Sequence, residues 1–130
     1  MKIYVAGPVT DTHTVRQVQD AVLAAGHKLT LDWSADLGVA EGYANQVERS
    51  AGMAQEELEA VLAADAVLVV ASRHDGRGMF VELGAALAQA SRGDLEQVVL
   101  IGDIHHESVF YFHPLVKRVA TVEAWLALIA

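Results

Sequence analysis

Short apolar runs recur along the chain at the spacing expected of buried strands. Each run is rich in β-branched residues and ends at a glycine, a proline or a polar residue, which is typical of a strand. The predicted strands are Lys2–Ala6 (KIYVA), 27–33 (HKLTLDW), 66–72 (AVLVVAS), 97–102 (QVVLIG) and a short fifth at 118–122 (RVATV).

The segments between these runs change to the period of an amphipathic helix. In the first of them Val15, Val18 and Val22 recur at helical spacing, and Gly26 follows as a stop signal. The predicted helices are 14–25, 53–64, 79–90 and Val122–Ile129. The segment 34–52 has no clear period, and we expect a loop followed by an irregular helical piece.

Alternation of strands and helices predicts an α/β fold with a parallel sheet covered on both faces. We expect a single doubly wound sheet of about five strands, a three-layer Rossmann/flavodoxin-like sandwich. If the strand order is 2-1-3-4-5, the order reverses between the first and third strands, and ligands bind at such a switch point. The facing loops there are AGPVTDTHT and SRHDGRG. They contribute Gly7, Pro8, Gly76 and Gly78 as candidate substrate-binding residues, and Met79, which follows the second loop, is a fifth.

Composition narrows the class of protein. The 130 residues match one domain, 1–130, and a chain that is 53% hydrophobic can bury a real core. The absence of cysteine excludes disulfides and a thiolate nucleophile and fits a cytoplasmic protein. A formal charge of −8 argues against a nucleic acid polymer as partner, and no apolar run is long enough for a membrane span. A small-molecule ligand is therefore expected.

Glu82 is the candidate that chemistry singles out, because it lies among glycines and apolar residues in GMFVELGAALA. A helix that begins near Met79 puts Glu82 in its first turn, where the helix dipole favours an ionised carboxylate. Such a carboxylate serves as nucleophile or general base, or it merely completes a helix cap as an N3 glutamate. Val81 stands where a dinucleotide-binding fingerprint has its third glycine, so that motif is not indicated.

The first loop offers a possible anion site. Thr12 or Thr14 is a possible N-cap, and a helix start can receive an anion. Arg16 would suit a 5′-phosphate there, and the alternative is an exposed helical cation. The spacing of the histidines gives no metal motif, so neither a metal nor another cofactor is expected.

Three blocks of the sequence, KIYVAGPV, EELEAVLAADAVLVV and GRGMFVELGAALA, together resemble the nucleoside 2-deoxyribosyltransferase family. That family also contains hydrolases of deoxynucleoside 5′-monophosphates. The blocks span most of the chain in the family's order. The resemblance implies that Glu82, in the pattern Gly78–Glu82–Gly84, is a nucleophile that forms a covalent glycosyl-enzyme.

The same resemblance assigns roles to three further residues. Tyr4 matches an active-site tyrosine that holds the nucleophile in line, although an aromatic residue on a strand also fills a core. Glu57 stands where the family commonly has an aspartate that contacts the sugar hydroxyls, and a solvated helical charge is the competing explanation. Asp75 is the nearest match to a loop aspartate that acts on the leaving base, and a surface turn is its alternative.

The family also implies a shared site. A loop from a neighbouring subunit often completes it, so His113 or Phe112 is expected to reach across the interface of a homodimer or larger homo-oligomer, or else to be buried under the chain's own last helix. Three functions remain open. They are transfer of 2-deoxyribose between bases, hydrolysis of deoxynucleoside 5′-monophosphates with the same nucleophile, and nucleotide binding without catalysis.

Overall fold

The computed structural model describes residues 1–37 and 42–130. Its strands are β1 (Lys2–Ala6), β2 (Lys28–Leu29), β3 (Ala66–Val70), β4 (Gln97–Ile101) and β5 (Val116–Val119). Its α-helices are α1 (Thr12–Ala24), α2 (Val47–Leu62), α3 (Arg77–Ser91) and α4 (Val122–Ile129). Short 3₁₀ helices occur at Val9–Asp11, Trp33–Ala35, Tyr43–Asn45 and Val109–Phe112.

The five strands form one parallel sheet in the order β2-β1-β3-β4-β5. This confirms the predicted α/β class and the predicted strand order. Because the order reverses between β1 and β3, the helices that follow these two strands pack on opposite faces of the sheet, and a crevice forms beside this point at the carboxyl end of the sheet. Tyr4 pairs with Val67 in the register of these strands, which places Tyr4 beside the switch point.

Helices cover both faces of the sheet. α1 contacts α4, and α2 contacts α3. Right-handed crossovers in the two directions from the switch point put these pairs on opposite faces. All five residues of β3 are buried, which is the reason why its sequence AVLVV is apolar without alternation.

The structure corrects several predicted boundaries. The second strand, predicted at 27–33, is only Lys28–Leu29, and its continuation turns into the 3₁₀ helix Trp33–Ala35. Helix α2 begins at Val47, six residues before the predicted start. β5 lies at Val116–Val119, shifted toward the N-terminus from 118–122.

Two predicted helix starts are also wrong. The N-cap of α1 is Asp11, whose carboxylate accepts a hydrogen bond from the Thr14 amide, so neither Thr12 nor Thr14 caps this helix. α3 begins at Arg77, which puts Glu82 in the second turn. Glu82 is therefore no N3 capping residue.

The segment without a clear period, 34–52, contains in its described part the end of the 3₁₀ helix Trp33–Ala35, the whole of the 3₁₀ helix Tyr43–Asn45 and the first six residues of α2. Residues 38–41 of that segment lie outside the described residues. Among the residues that are described, no helix has the length and apolar character needed to cross a bilayer.

Candidate functional site

A cleft of about 440 Å³ opens at the switch point of the sheet. Three groups of described residues form it: the loop after β1, residues 33–37 and 43–57, and the loop after β3 with the first two turns of α3. The lining residues are Gly7, Pro8, Val9, Trp33, Asp36, Leu37, Tyr43, Ser50, Met53, Ala54, Glu57, Asp75, Gly76, Arg77, Gly78, Met79 and Glu82.

Glu82 and Tyr4 meet at the base of this cleft. The Tyr4 hydroxyl on β1 donates a hydrogen bond to Oε2 of Glu82 on α3, although the residues are 78 positions apart in the chain. Tyr4 is fully buried and Glu82 is 8% exposed. A buried carboxylate needs a partner, and Tyr4 supplies it while it also fills the core.

The surroundings of Glu82 disfavour its ionised form. Burial raises the pKa of Glu82, and the charge of Glu57 raises it further, while the hydrogen bond from Tyr4 lowers it. The result is a pKa of about 8. Burial and the nearby Glu82 carboxylate raise the pKa of the Tyr4 phenol as well, so Tyr4 stays protonated and remains a donor.

Glu57 is the second acidic group at the base of the cleft. It projects from the middle of α2 and is half-buried. Burial, and then the neighbouring charge of Glu56, raise the pKa of Glu57. Glu57 acts electrostatically on both Tyr4 and Glu82, so the three groups form one coupled set.

The glycine-bearing loops form the wall next to β1 and β3. A Cβ at Gly7 would lie 2.5 Å from Cγ2 of Val15, so only glycine allows the first loop to pass this close to α1. A Cβ at Gly76 would lie 3.2 Å from Cγ of Pro8. The two loops therefore touch, and their contact brings Pro8 and Asp75 into one wall of the cleft.

The structure places Gly7, Pro8, Glu57, Asp75, Gly76, Gly78, Met79 and Glu82 in the cleft lining, as expected of them, and Tyr4 directly behind Glu82. Arg16 lies elsewhere. Its guanidinium donates to the backbone oxygen of Ser34 at 2.9 Å and does not line the cleft. His113 does not line it either, and its Nδ1 accepts a hydrogen bond from the amide of Leu115 at 3.1 Å. Its expected contact across a subunit interface stays a prediction.

Sequence reasoning missed the aromatic and cationic part of the cleft. Trp33 is anchored by a hydrogen bond of 2.7 Å from Nε1 to the Val5 carbonyl oxygen, with its ring at the cleft. Tyr43 is 56% exposed and lies at the rim. Arg77 is the first residue of α3. The signal for the aromatic residues was their position after the second strand, at the carboxyl end of the sheet, where ligands bind in folds of this kind.

The charge of the cleft is predominantly negative. The described lining residues include the carboxylates Asp36, Glu57, Asp75 and Glu82 and one guanidinium, Arg77. Asp36 forms an ion pair of 2.8 Å with Arg49, which offsets part of its charge. Within residues 1–37 and 42–130, no group of three His, Cys, Asp or Glu side chains lies close enough together to hold a metal ion.

Comparison with known proteins shows similarity at the level of fold. No protein-family model and no curated protein sequence matches the chain. A 2-deoxyribosyltransferase from Bacillus psychrosaccharolyticus superposes with a TM-score of 0.72 at 18% identity over 97% of this chain and 90% of that chain. The CMP N-glycosidase of Clostridium botulinum superposes with a TM-score of 0.58 at 12% identity over 99% of this chain and 98% of that chain.

Proposed function

We propose that the protein belongs to the nucleoside 2-deoxyribosyltransferase family and transfers 2-deoxyribose from one base to another through a covalent intermediate on Glu82. The observation that carries this proposal is the buried Glu82 carboxylate, held by Tyr4 at the base of a cleft at the switch point. Two enzymes that share the fold bear names that describe the same bond, one a 2-deoxyribosyltransferase and one a CMP N-glycosidase.

In the first half of the reaction Glu82 attacks the anomeric carbon from the face opposite the base. The bond from C1′ to the base nitrogen breaks, its electron pair goes to the base, and a new bond joins C1′ to a Glu82 oxygen. Asp75, from the loop wall, hydrogen bonds to the departing base and relays to it a proton from solvent, which neutralises the base. The products of this half-reaction are a free base and glycosyl-Glu82.

In the second half an acceptor base takes the sugar. A ring nitrogen of that base attacks C1′, the bond from C1′ to Glu82 breaks, and the nitrogen's proton returns to Asp75. Tyr4 keeps the same Glu82 oxygen in line in both halves, because its phenol stays protonated. Glu57 lies beside this pair and is placed to accept a hydrogen bond from a sugar hydroxyl.

The charge of the cleft favours a nucleoside without phosphate. A 5′-monophosphate would bring about two negative charges at neutral pH into a site whose described lining holds the carboxylates of Asp36, Glu57 and Asp75 and one guanidinium, beside a Glu82 that is largely protonated at that pH. Like charges at close range in a partly buried site oppose binding. The electrostatics therefore favour transfer between uncharged nucleosides.

One feature supports hydrolysis of a 5′-monophosphate as the second candidate. α3 begins at the cleft with no side-chain cap on its first amides, and Arg77 stands at its first position. Free amides and a guanidinium at a helix start form a favourable place for a phosphate. The same Glu82 would then be released by water.

Product analysis separates these functions. The wild-type protein and Glu82→Ala are incubated with a panel of 2-deoxynucleosides and their 5′-monophosphates, each with and without a free acceptor base, and products are followed by chromatography. We expect a new nucleoside only when the acceptor is present, and none with Glu82→Ala, since that change removes the nucleophile. Mass spectrometry after acid quench should find the sugar attached to the wild-type chain.

Arg77→Ala serves as the control for the phosphate-dependent candidate. If the monophosphate were the substrate, this variant would raise its KM, whereas turnover of an uncharged nucleoside should change little. Formation of free base and sugar phosphate without acceptor would show that the protein is a hydrolase and that the proposed transfer is wrong. No turnover by the wild-type protein, with tight nucleoside binding retained in Glu82→Ala, would make the chain a binding module.

A further inference from the structure

A hydrogen-bonded bridge joins the two loops of the cleft wall at a point behind the cleft. Oγ of Ser72, two residues after β3, donates to Oδ2 of Asp11 at 2.6 Å. Oδ1 of the same carboxylate accepts from the Thr14 amide at 3.3 Å and from the Thr14 hydroxyl at 2.9 Å. One side chain thus caps α1 and also binds the loop after β3.

Ser72 extends the bridge into its own loop. Its Oγ accepts a hydrogen bond of 3.1 Å from the amide of His74, which immediately precedes Asp75 and the N-cap of α3. Two further ties on this loop are the contact of Gly76 with Pro8 and a bond of 2.6 Å between His106 Nε2 and the Arg73 carbonyl oxygen. Neither Asp11 nor Ser72 lines the cleft.

The bridge is charged. Burial alone would raise the pKa of Asp11, but hydrogen bonds from Ser72 and Thr14 and the nearby His74 hold it below its usual value. Asp11 is therefore ionised at neutral pH, and a hydrogen bond from a hydroxyl to an ionised carboxylate is about twice as strong as one between neutral groups. A short, charge-assisted bond restrains the distance between two loops that otherwise meet at Pro8 and Gly76.

We propose that the Asp11–Ser72 bridge positions the cleft wall formed by the loops after β1 and β3. It holds the loop that carries Asp75 and leads into α3 in a fixed position relative to the loop after β1. Tyr4 lies on β1, which leads into the first loop, and Glu82 lies on α3, which follows the second loop. The Tyr4–Glu82 bond and the Asp11–Ser72 bridge therefore join the same two segments of the chain at different points. Asp11 and Ser72 are positioning residues, since neither touches the cleft. The consequence for catalysis rests on the proposed function.

The test compares two variants that each remove one hydrogen bond to the same carboxylate. Ser72→Ala removes the bridge and keeps the cap of α1, whereas Thr14→Val removes a capping bond and keeps the bridge. We expect Ser72→Ala to lower kcat/KM for the deoxynucleoside by roughly 10-fold to 100-fold, mainly in kcat, because small misplacements of reacting groups have effects of this size. Thr14→Val should retain kcat/KM, and Ser72→Thr should recover most of the loss.

Amide hydrogen exchange gives a readout that does not depend on turnover. In Ser72→Ala the amides of Arg73, Asp75 and Gly76 should exchange faster than in the wild-type protein, while in Thr14→Val they should not; the His74 amide is left out because it loses its own acceptor in Ser72→Ala. Unchanged exchange in Ser72→Ala, or an equal loss of kcat/KM in both variants, would overturn the proposal. If the wild-type protein turned over no nucleoside, the proposed function would fail, and the exchange rates would still decide whether the bridge orders this loop.

Discussion

At the scale of single residues, the buried carboxylate at the base of the cleft combines two requirements that conflict. The nucleophile that we propose at this position must be ionised, yet burial and the charge of Glu57 raise the pKa of Glu82 to about 8. The hydrogen bond from Tyr4 opposes this shift but does not cancel it. At neutral pH Glu82 is therefore protonated in most protein molecules, and activity is expected to depend on pH.

The pH profile gives the first prediction. Because attack requires ionised Glu82, kcat/KM should rise with pH and level off above an apparent pKa near 8, the value for the free enzyme. Glu57→Gln removes a like charge, so the apparent pKa should move to a lower pH. Glu59→Gln, an exposed change two residues away on the same helix, should leave the profile in place. A profile of Glu57→Gln that coincides with the wild-type profile would contradict this electrostatic coupling.

The raised pKa of Glu82 also predicts how stability depends on pH. Between the ordinary carboxyl pKa of 4.5 and about 8, the folded protein keeps a proton that the unfolded chain has released. Stability therefore falls as pH rises through this window. Glu82→Gln keeps an acceptor for the Tyr4 hydroxyl without the charge. Its effect on the free energy of unfolding should therefore be more favourable at pH 8.5 than at pH 5, by about 1 kcal/mol or more.

Urea unfolding of wild type and Glu82→Gln at the two pH values measures this difference. Glu59→Gln provides the reference for loss of an exposed carboxylate, and its effect should be similar at both pH values. If Glu82→Gln were equally destabilising at pH 5 and pH 8.5, Glu82 would be ionised without penalty in the folded protein. Loss of activity together with a gain in stability would mark Glu82 as a site where function opposes stability.

At the scale of secondary-structure elements, the close approach of the first loop to α1 depends on one missing side chain. A Cβ at Gly7 would lie 2.5 Å from Cγ2 of the buried Val15 and 3.3 Å from Cβ of Val70. Both neighbours are β-branched and buried, so neither can turn away easily. Gly7→Ala should destabilise the protein by about 1–3 kcal/mol, as overpacking does, and should narrow the cleft at Pro8.

Gly84→Ala is the matched control for that change. A Cβ at Gly84 meets no atom of the described residues within 4 Å, and the position is exposed in the interior of α3. Alanine should stabilise this helix by about 1 kcal/mol. Thermal or urea unfolding of both variants checks the contrast, and a Gly7→Ala protein as stable as Gly84→Ala would show that the loop adjusts without cost.

Elements differed in how far the sequence predicted them. β1, β3 and β4 were placed within two residues because each is short, apolar and buried in the centre of the sheet. β2 is an edge strand of only two residues. The apolar positions of 27–33 continue past it into the 3₁₀ helix that begins at Trp33, and the buried Trp33 ring bonds to the Val5 carbonyl oxygen of β1. Alternation alone does not distinguish these two uses of an apolar residue.

The sequence predicted those residues of the candidate site that lie in a glycine-bearing loop or in the motif around Glu82. The two glycine loops were indicated by the switch point, and Glu82 by its place among glycines and apolar residues, whereas Asp75 was indicated only by the resemblance to the transferase family. Arg16 was predicted from its distance to a helix start, but its guanidinium is bound to Ser34. Tyr43 was missed because a 3₁₀ helix in a segment without a period carries it to the rim.

At the scale of the whole molecule, charge is the property that best distinguishes the two candidate substrate classes, uncharged 2-deoxynucleosides and their 5′-monophosphates. The chain carries a formal charge of −8, and the described lining of the cleft is predominantly acidic. An uncharged nucleoside approaches this field without penalty, whereas a 5′-monophosphate is repelled by the surface and by the cleft. Added salt screens such repulsion, with a Debye length of about 10 Å at 0.1 M and about 3 Å at 1 M.

The ionic-strength dependence of kcat/KM is therefore expected to differ between the two substrate classes. For a 2-deoxynucleoside, kcat/KM should stay nearly constant as salt rises from low concentration to about 0.5 M, because no charge on the substrate is screened. For the corresponding 5′-monophosphate, any activity should increase over the same range as its KM falls. A monophosphate whose kcat/KM decreased with salt would be attracted to the cleft, and this would shift the assignment toward the hydrolase, with Arg77 and the open start of α3 as the groups that hold the phosphate.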